Sequence, residues 1–120
     1  MKYMFLVYSR ELPPDPLPDM TELKAKHFAL MDEAQRLGIF HGASPLQPTA
    51  TATTVRIHDD KPLIIDGPFA ETKEQLAGYY ILDCKNLDDA LSWAVRIPTA
   101  CKGMDGCIEV RPLADLPPRD

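Results

Sequence analysis

The segment Asp66-Gly67-Pro68-Phe69-Ala70-Glu71-Thr72-Lys73-Glu74 gathers four charged side chains, one ring and a constrained backbone into nine residues. Pro68 fixes its own φ and biases Gly67 toward extended backbone, while Gly67 lets the main chain pass close to another group. A shaped loop is expected rather than a slack one. Asp66 follows the apolar run Leu63-Ile64-Ile65, which places its carboxylate at a strand end beside the open face of a sheet, where sites are commonly built. Two roles are open to it. It can exchange a proton with a ligand, or it can accept backbone N–H groups and hold the turn. Glu71, Lys73 and Glu74 follow closely, and on a helical turn begun at Thr72, with Gln75 three residues on, Lys73 and Glu74 point in different directions. A lysine between carboxylates can bind a small anionic molecule or relay a proton when partly desolvated; in full solvent the same cluster is an ion-pair patch.

His27 lies on the apolar stripe of a helix rather than on its wet side. A histidine so placed either bonds a backbone carbonyl in the core or serves as an acid–base group. Glu109 and Arg111 alternate with Ile108 and Val110, so both charges fall on the sheet face turned away from the helices. There Arg111 can bind a carboxylate, or pair with Glu109 or Asp66 across an interface. His41 and His58 lie in separate strand segments, and with His27 they form no i, i+4 pair, so no metal site is expected. No cofactor string, phosphate loop or Ser-His-Asp order occurs.

The elements that must position these residues read as follows. Lys2 to Tyr8 is a strand apolar on both faces, Tyr3/Phe5/Val7 and Met4/Leu6/Tyr8, and needs cover on each. Residues 12–18 form a proline-rich loop. Asp19 with Glu22 marks a helix start, Leu23, His27, Leu30, Met31, Ala34 and Leu37 recur at helical spacing, and Gly38 stops the helix, giving about 20–37. Two or three short antiparallel strands fill 39–65, with His58-Asp59-Asp60-Lys61 as a polar turn. Gly78 to Cys84 is a strand, Asn86 caps a helix from Leu87 to Ile97, and Cys107 to Arg111 is the last strand, after a glycine-containing connection. Residues 114–120 are a tail. Two helices cover one face of such a sheet, and a second copy of the chain is the simplest cover for the other.

At 120 residues and 45% hydrophobic composition the chain fits a single domain spanning 1–120. Thirteen basic against 18 acidic residues, a net charge of −5, argues against direct nucleic-acid binding and suits a basic protein partner. The apolar N-terminus is too short for a spanning helix and lacks a cleavage site, which points to a cytoplasmic protein without a membrane role. Cys84, Cys101 and Cys107 are odd in number and contain no C-x-x-C pair, favouring reduced thiols, with a Cys101–Cys107 link left open.

The nine residues from Asp66 to Glu74, together with Glu109-Val110-Arg111-Pro112-Leu113, resemble the DGPF branch of the YCII-related proteins. That resemblance implies a ferredoxin-like α+β domain, β-α-β-β-α-β with an extra hairpin, in a dimeric α/β barrel-type assembly, with a pocket between the open sheet face and the Asp66 loop. It implies no reaction, because the family is largely uncharacterised. Similar genes often stand beside alternative sigma factors, which implies a possible regulatory association with such a factor. The wider family carries a helix histidine eleven residues before a glycine, matched by His27 and Gly38. Its acid comes from an Asp-Pro-aromatic triplet after the second helix, where this chain has Ile97-Pro98-Thr99, so the acid is missing unless Asp66 replaces it. The expectation is a small-molecule acid–base enzyme with Asp66 and His27 as catalytic residues and Lys73, Glu71, Arg111 and Glu109 holding an anionic ligand; the alternative is a non-catalytic ligand-binding or regulatory protein.

Overall fold

The structure is a computed structural model and describes residues 1–12, 19–99 and 106–119. Six strands and two helices follow the order β1 (Lys2–Ser9), α1 (Thr21–Arg36), β2 (Phe40–Pro45), β3 (Thr53–His58), β4 (Lys61–Asp66), β5 (Gln75–Asp83), α2 (Leu87–Ala94) and β6 (Gly106–Pro112). A four-stranded sheet has the order β2-β5-β1-β6, with every neighbour antiparallel, and β3 pairs only with β4. This is the ferredoxin-like α+β arrangement with an inserted hairpin. The proline-rich stretch from Pro13 to Pro18, Cys101 and the connection before β6 lie outside the described residues.

Pleating divides β1 and β5 between two environments. Tyr3, Phe5 and Val7 from β1 and Tyr80 and Leu82 from β5 are buried beneath Leu30 and Ala34 of α1 and Trp93 and Ala94 of α2. Met4, Leu6 and Tyr8 with Tyr79 and Ile81 point the other way and keep partial exposure, since no element among the described residues covers that face. Glu109 and Arg111 share it, and Ile108 and Val110 pack on the core, as their alternation requires.

Local chemistry explains the element ends. The Asp19 carboxylate accepts from the Thr21 N–H at 3.0 Å, which lowers its pKa, and Gly38 at φ +73° releases the chain from α1. Asn86 caps α2 by accepting from the Asp89 N–H at 2.9 Å. α2 ends at Ala94, three residues before the expected Ile97. Pro98 disfavours α-helical backbone at Ile97, and the chain tightens into i→i−3 bonds from Arg96 to Trp93 and from Ile97 to Ala94. Arg96 reaches Glu33 of α1 at 2.5 Å while its guanidinium lies 4.8 Å over the Trp93 ring, tying the two helices together.

The β3–β4 hairpin turns through Asp59 and Asp60, both left-handed at φ 49° and 62°, the geometry of a two-residue type I′ turn. At its foot Gly67 has φ +102°, not the extended backbone expected before proline. Its N–H donates to the Ala52 carbonyl at 2.7 Å and its carbonyl accepts the Thr54 hydroxyl at 2.7 Å, and these two bonds together hold the unusual dihedral. A Cβ there would meet no neighbour, so the cost of Gly67→Ala is purely conformational. The variant is expected to lose about 1–2 kcal/mol in urea unfolding with an unchanged m-value.

Candidate functional site

Two places gather the candidate residues, and they are distinct. The first lies between α1 and β5. His27 faces the sheet from the second turn of α1, half-buried, and its Nδ1 hydrogen-bonds the hydroxyl of Tyr80, a residue only 4% exposed. The rings stack with centroids 5.8 Å apart and planes inclined by 21°. Burial lowers the His27 pKa from 6.5 and pushes that of Tyr80 up to about 12. Both rings are therefore neutral at physiological pH. The neutral phenol has a single proton to give and Nδ1 stands within its reach, so the hydroxyl is assigned as the donor to Nδ1. It follows that His27 carries its own proton on Nε2. The partner of this histidine is a phenol, neither the carboxylate of the wider family nor a backbone carbonyl. Sequence reasoning gave Tyr80 no part in the site; the signal was the alternation of β5, which turns Tyr80 toward the helices and Tyr79 away.

The second place is the loop between β4 and β5. A cleft of about 560 Å³ is lined by Arg10 and Glu11 after β1, Thr49 and Ala50 of a short 3-10 turn, and Gly67, Pro68, Glu71, Thr72, Lys73 and Gln75. Glu11 fixes its far wall by accepting the Thr49 N–H at 2.6 Å and the Thr49 hydroxyl at 2.9 Å. The near wall is set by the Thr72 hydroxyl on the Glu74 carbonyl at 2.6 Å and by the Gln75 amide on the Thr72 carbonyl at 3.0 Å. The expected helical turn at Thr72 does not form, because Gln75 already belongs to β5, paired with Ser9. The chain instead bends once and enters the sheet.

Glu71 and Lys73 thus share one cleft, and Lys73 enters no ion pair among the described residues. Asp66 does not line it. Its carboxylate is exposed at the end of β4 and makes no hydrogen bond or ion pair among the described residues, so the clasp role expected of it falls to Thr54 and the Gly67 backbone. Phe69 does not anchor the loop against its own chain either, being 78% exposed. Glu109 and Arg111 stand exposed on the open sheet face, opposite the His27 side, and likewise pair with nothing among the described residues. A single chain therefore brings Glu71 and Lys73 together in one cleft and Glu109 and Arg111 together on the open face, and leaves Asp66 and His27 apart from both pairs.

The two thiols among the described residues add nothing reactive. Burial, then the carboxylates of Asp89 and Asp83, push the Cys84 pKa up to about 11; burial, then Glu74 and Glu109, raise that of the exposed Cys107. Among the described residues no helix is long and apolar enough to cross a membrane, and no three His, Cys, Asp or Glu side chains are grouped to hold a metal ion.

Comparison with known proteins places the chain in a family. A curated protein of Rhizobium meliloti (strain 1021), described as uncharacterized, is 39% identical over 107 residues, covering 89% of this chain and 80% of its own length. The model of the YCII-related domain matches residues 1–117. With that match running through both helices and all six strands, the chain belongs to the YCII-related family.

Proposed function

We propose that this protein is a homodimer of the DGPF branch that acts on a small carbonyl compound by acid–base chemistry, with His27 as its chemical group. The observation that carries the reading is the bond from the Tyr80 hydroxyl to His27 Nδ1. A neutral imidazole whose proton is fixed on Nε2 is a hydrogen-bond donor suited to a carbonyl oxygen that gains negative charge as a base from solvent takes the neighbouring α-proton, which returns to the carbon from solvent. The open apolar sheet face supports the dimer. The test is exchange of α-protons for deuterium in a panel of small 2-keto and 3-keto acids, followed by ¹H NMR. Acceleration over buffer that disappears in His27→Ala supports the reading; equal rates for both proteins across the panel contradict it.

A second reading, ligand binding without catalysis, is favoured by Lys73, a lysine that enters no ion pair among the described residues and stands in a walled cleft. A small dicarboxylate would meet it at the mouth of the 67–75 loop. In calorimetric titrations with succinate, Lys73→Ala is expected to weaken binding by about 3–10-fold, the loss of one partly exposed charge-assisted contact. An unchanged Kd removes this role for the cleft.

A further inference from the structure

The β3–β4 hairpin stands off the body of the molecule and is apolar where it is most exposed. Its register sets Val55 opposite Ile64 and Ile57 opposite Pro62, so these four side chains form one stripe on one face of the hairpin. Val55, Ile57 and Ile64 remain 59%, 69% and 66% exposed. The chain as a whole is flat and extended: its radius of gyration is 16.7 Å over 120 residues, against about 13.5 Å for a compact chain of that length. A two-stranded hairpin alone in water is marginally stable and normally packs on something. Nothing among the described residues covers this one, and Phe69 at its foot adds a ring that is 78% exposed.

We infer that the β3–β4 hairpin is a clasp, its Val55/Ile57/Pro62/Ile64 stripe seated on the open sheet face of a second copy of this chain. The inference rests on the dimer proposed above and names what closes it. Three observations select a second copy over another protein. The stripe needs cover wherever the chain folds, and the chain itself is the partner always present there. Each copy offers both halves of the contact, an uncovered arm and an uncovered face bearing Met4, Leu6, Tyr79 and Ile81, so one two-fold axis satisfies both at once. The area also suffices. At roughly 100 Å² of apolar surface per fully exposed aliphatic side chain, the arm and open face together offer on the order of 400 Å². With the usual polar share this makes about 700 Å² per copy, close to the ~800 Å² of a stable interface. Charge agrees as well: Asp59 and Asp60 at the hairpin tip match Arg111, which is exposed on the open face without an ion-pair partner among the described residues.

Sedimentation equilibrium of the full chain tests this, beside Ile57→Glu/Ile64→Glu, whose two changes lie on solvent-exposed positions and leave the core intact. At about 100 µM the wild type is expected at twice its 13.4 kDa chain mass and the double variant at 13.4 kDa, with dimerisation weakened at least ~100-fold. Hydrogen exchange supplies the second readout. Amides of 53–66 are expected to be protected in concentrated wild type and to lose protection on dilution, whereas in the double variant they exchange fast at both concentrations. A wild type that is monomeric throughout overturns the dimer and the clasp together. A double variant that stays dimeric overturns the clasp alone, as does hairpin protection that appears only when a sigma factor is added. His27-dependent proton exchange is read separately and is expected to persist in the double variant.

Discussion

His27→Ala is expected to reduce α-proton exchange by about 10²–10⁴-fold, the range for loss of one well-placed acid–base or oxyanion-stabilising group. The pH dependence gives this prediction its particular shape. Burial holds the His27 pKa below 6.5 in the fold, so activity that needs the neutral ring is expected to be flat at neutral pH, with its acid limb falling below pH 6.5. Stability follows the same sign. The unfolded chain protonates this histidine more readily than the native one, so its contribution is complete above pH 6.5 and is lost as pH falls below it. Tyr80 acts at the other end: with its folded pKa raised from 10.0 to about 12, its contribution is complete below pH 10 and lost as pH rises toward 12. His27→Ala leaves the Tyr80 hydroxyl without its acceptor at an almost closed site, a stability cost of about 1–3 kcal/mol. Tyr80→Phe makes a mirror-image deletion from the donor side. A double-mutant cycle is therefore expected to return a coupling of about 0.5–3 kcal/mol, and additive losses would mean that the two side chains do not act as a unit.

Phe5→Ala is expected to be the most destabilising single substitution, at about 3–5 kcal/mol in urea unfolding. Phe5 has no exposed surface and occupies the middle of the central strand, in register with Tyr80 on β5 and Val110 on β6. Deleting the ring opens a cavity against both neighbours, and strands fixed by their ladders can close it only in part. Against a total stability of about 5–15 kcal/mol for a domain, such a loss leaves part of the chain unfolded at ordinary temperatures. Because the cavity adjoins Tyr80, the variant is also expected to loosen the His27 bond and return the histidine pKa toward 6.5. A loss below about 1 kcal/mol would mean that the helices do not clamp this face of the sheet.

The strands and helices were legible because their periodicities are clean. The two apolar faces of β1, the stripe of α1 and the alternation of β6 each specify a side as well as an element, so the ferredoxin-like order and the uncovered sheet face follow from sequence. The polar turn at Asp59-Asp60 was legible too, since both residues tolerate left-handed backbone. What the sequence concealed was long-range pairing. Nothing near Asp66 announces that Thr54, thirteen residues away, will hold the Gly67 carbonyl, or that Glu11 will wall the cleft through Thr49. The grouping of Asp66, His27, Lys73 and Arg111 was expected from the density of titratable residues. Within one chain, however, the sheet itself stands between His27 and Arg111. The missing acid beside Pro98 was visible as a gap, but the group that His27 meets instead is a hydroxyl from β5, on a residue that reads as a core aromatic in any hydrophobicity pattern.

The most direct test of the His27–Tyr80 pairing is ¹⁵N NMR of the histidine side chains across pH, with His27 assigned by its loss in His27→Ala. The predicted result is a neutral ring bearing its proton on Nε2, with Nδ1 unprotonated and hydrogen-bonded, and a pKa below 6.5 that moves in Tyr80→Phe. A pKa at or above 6.5, or a proton resident on Nδ1, would contradict it.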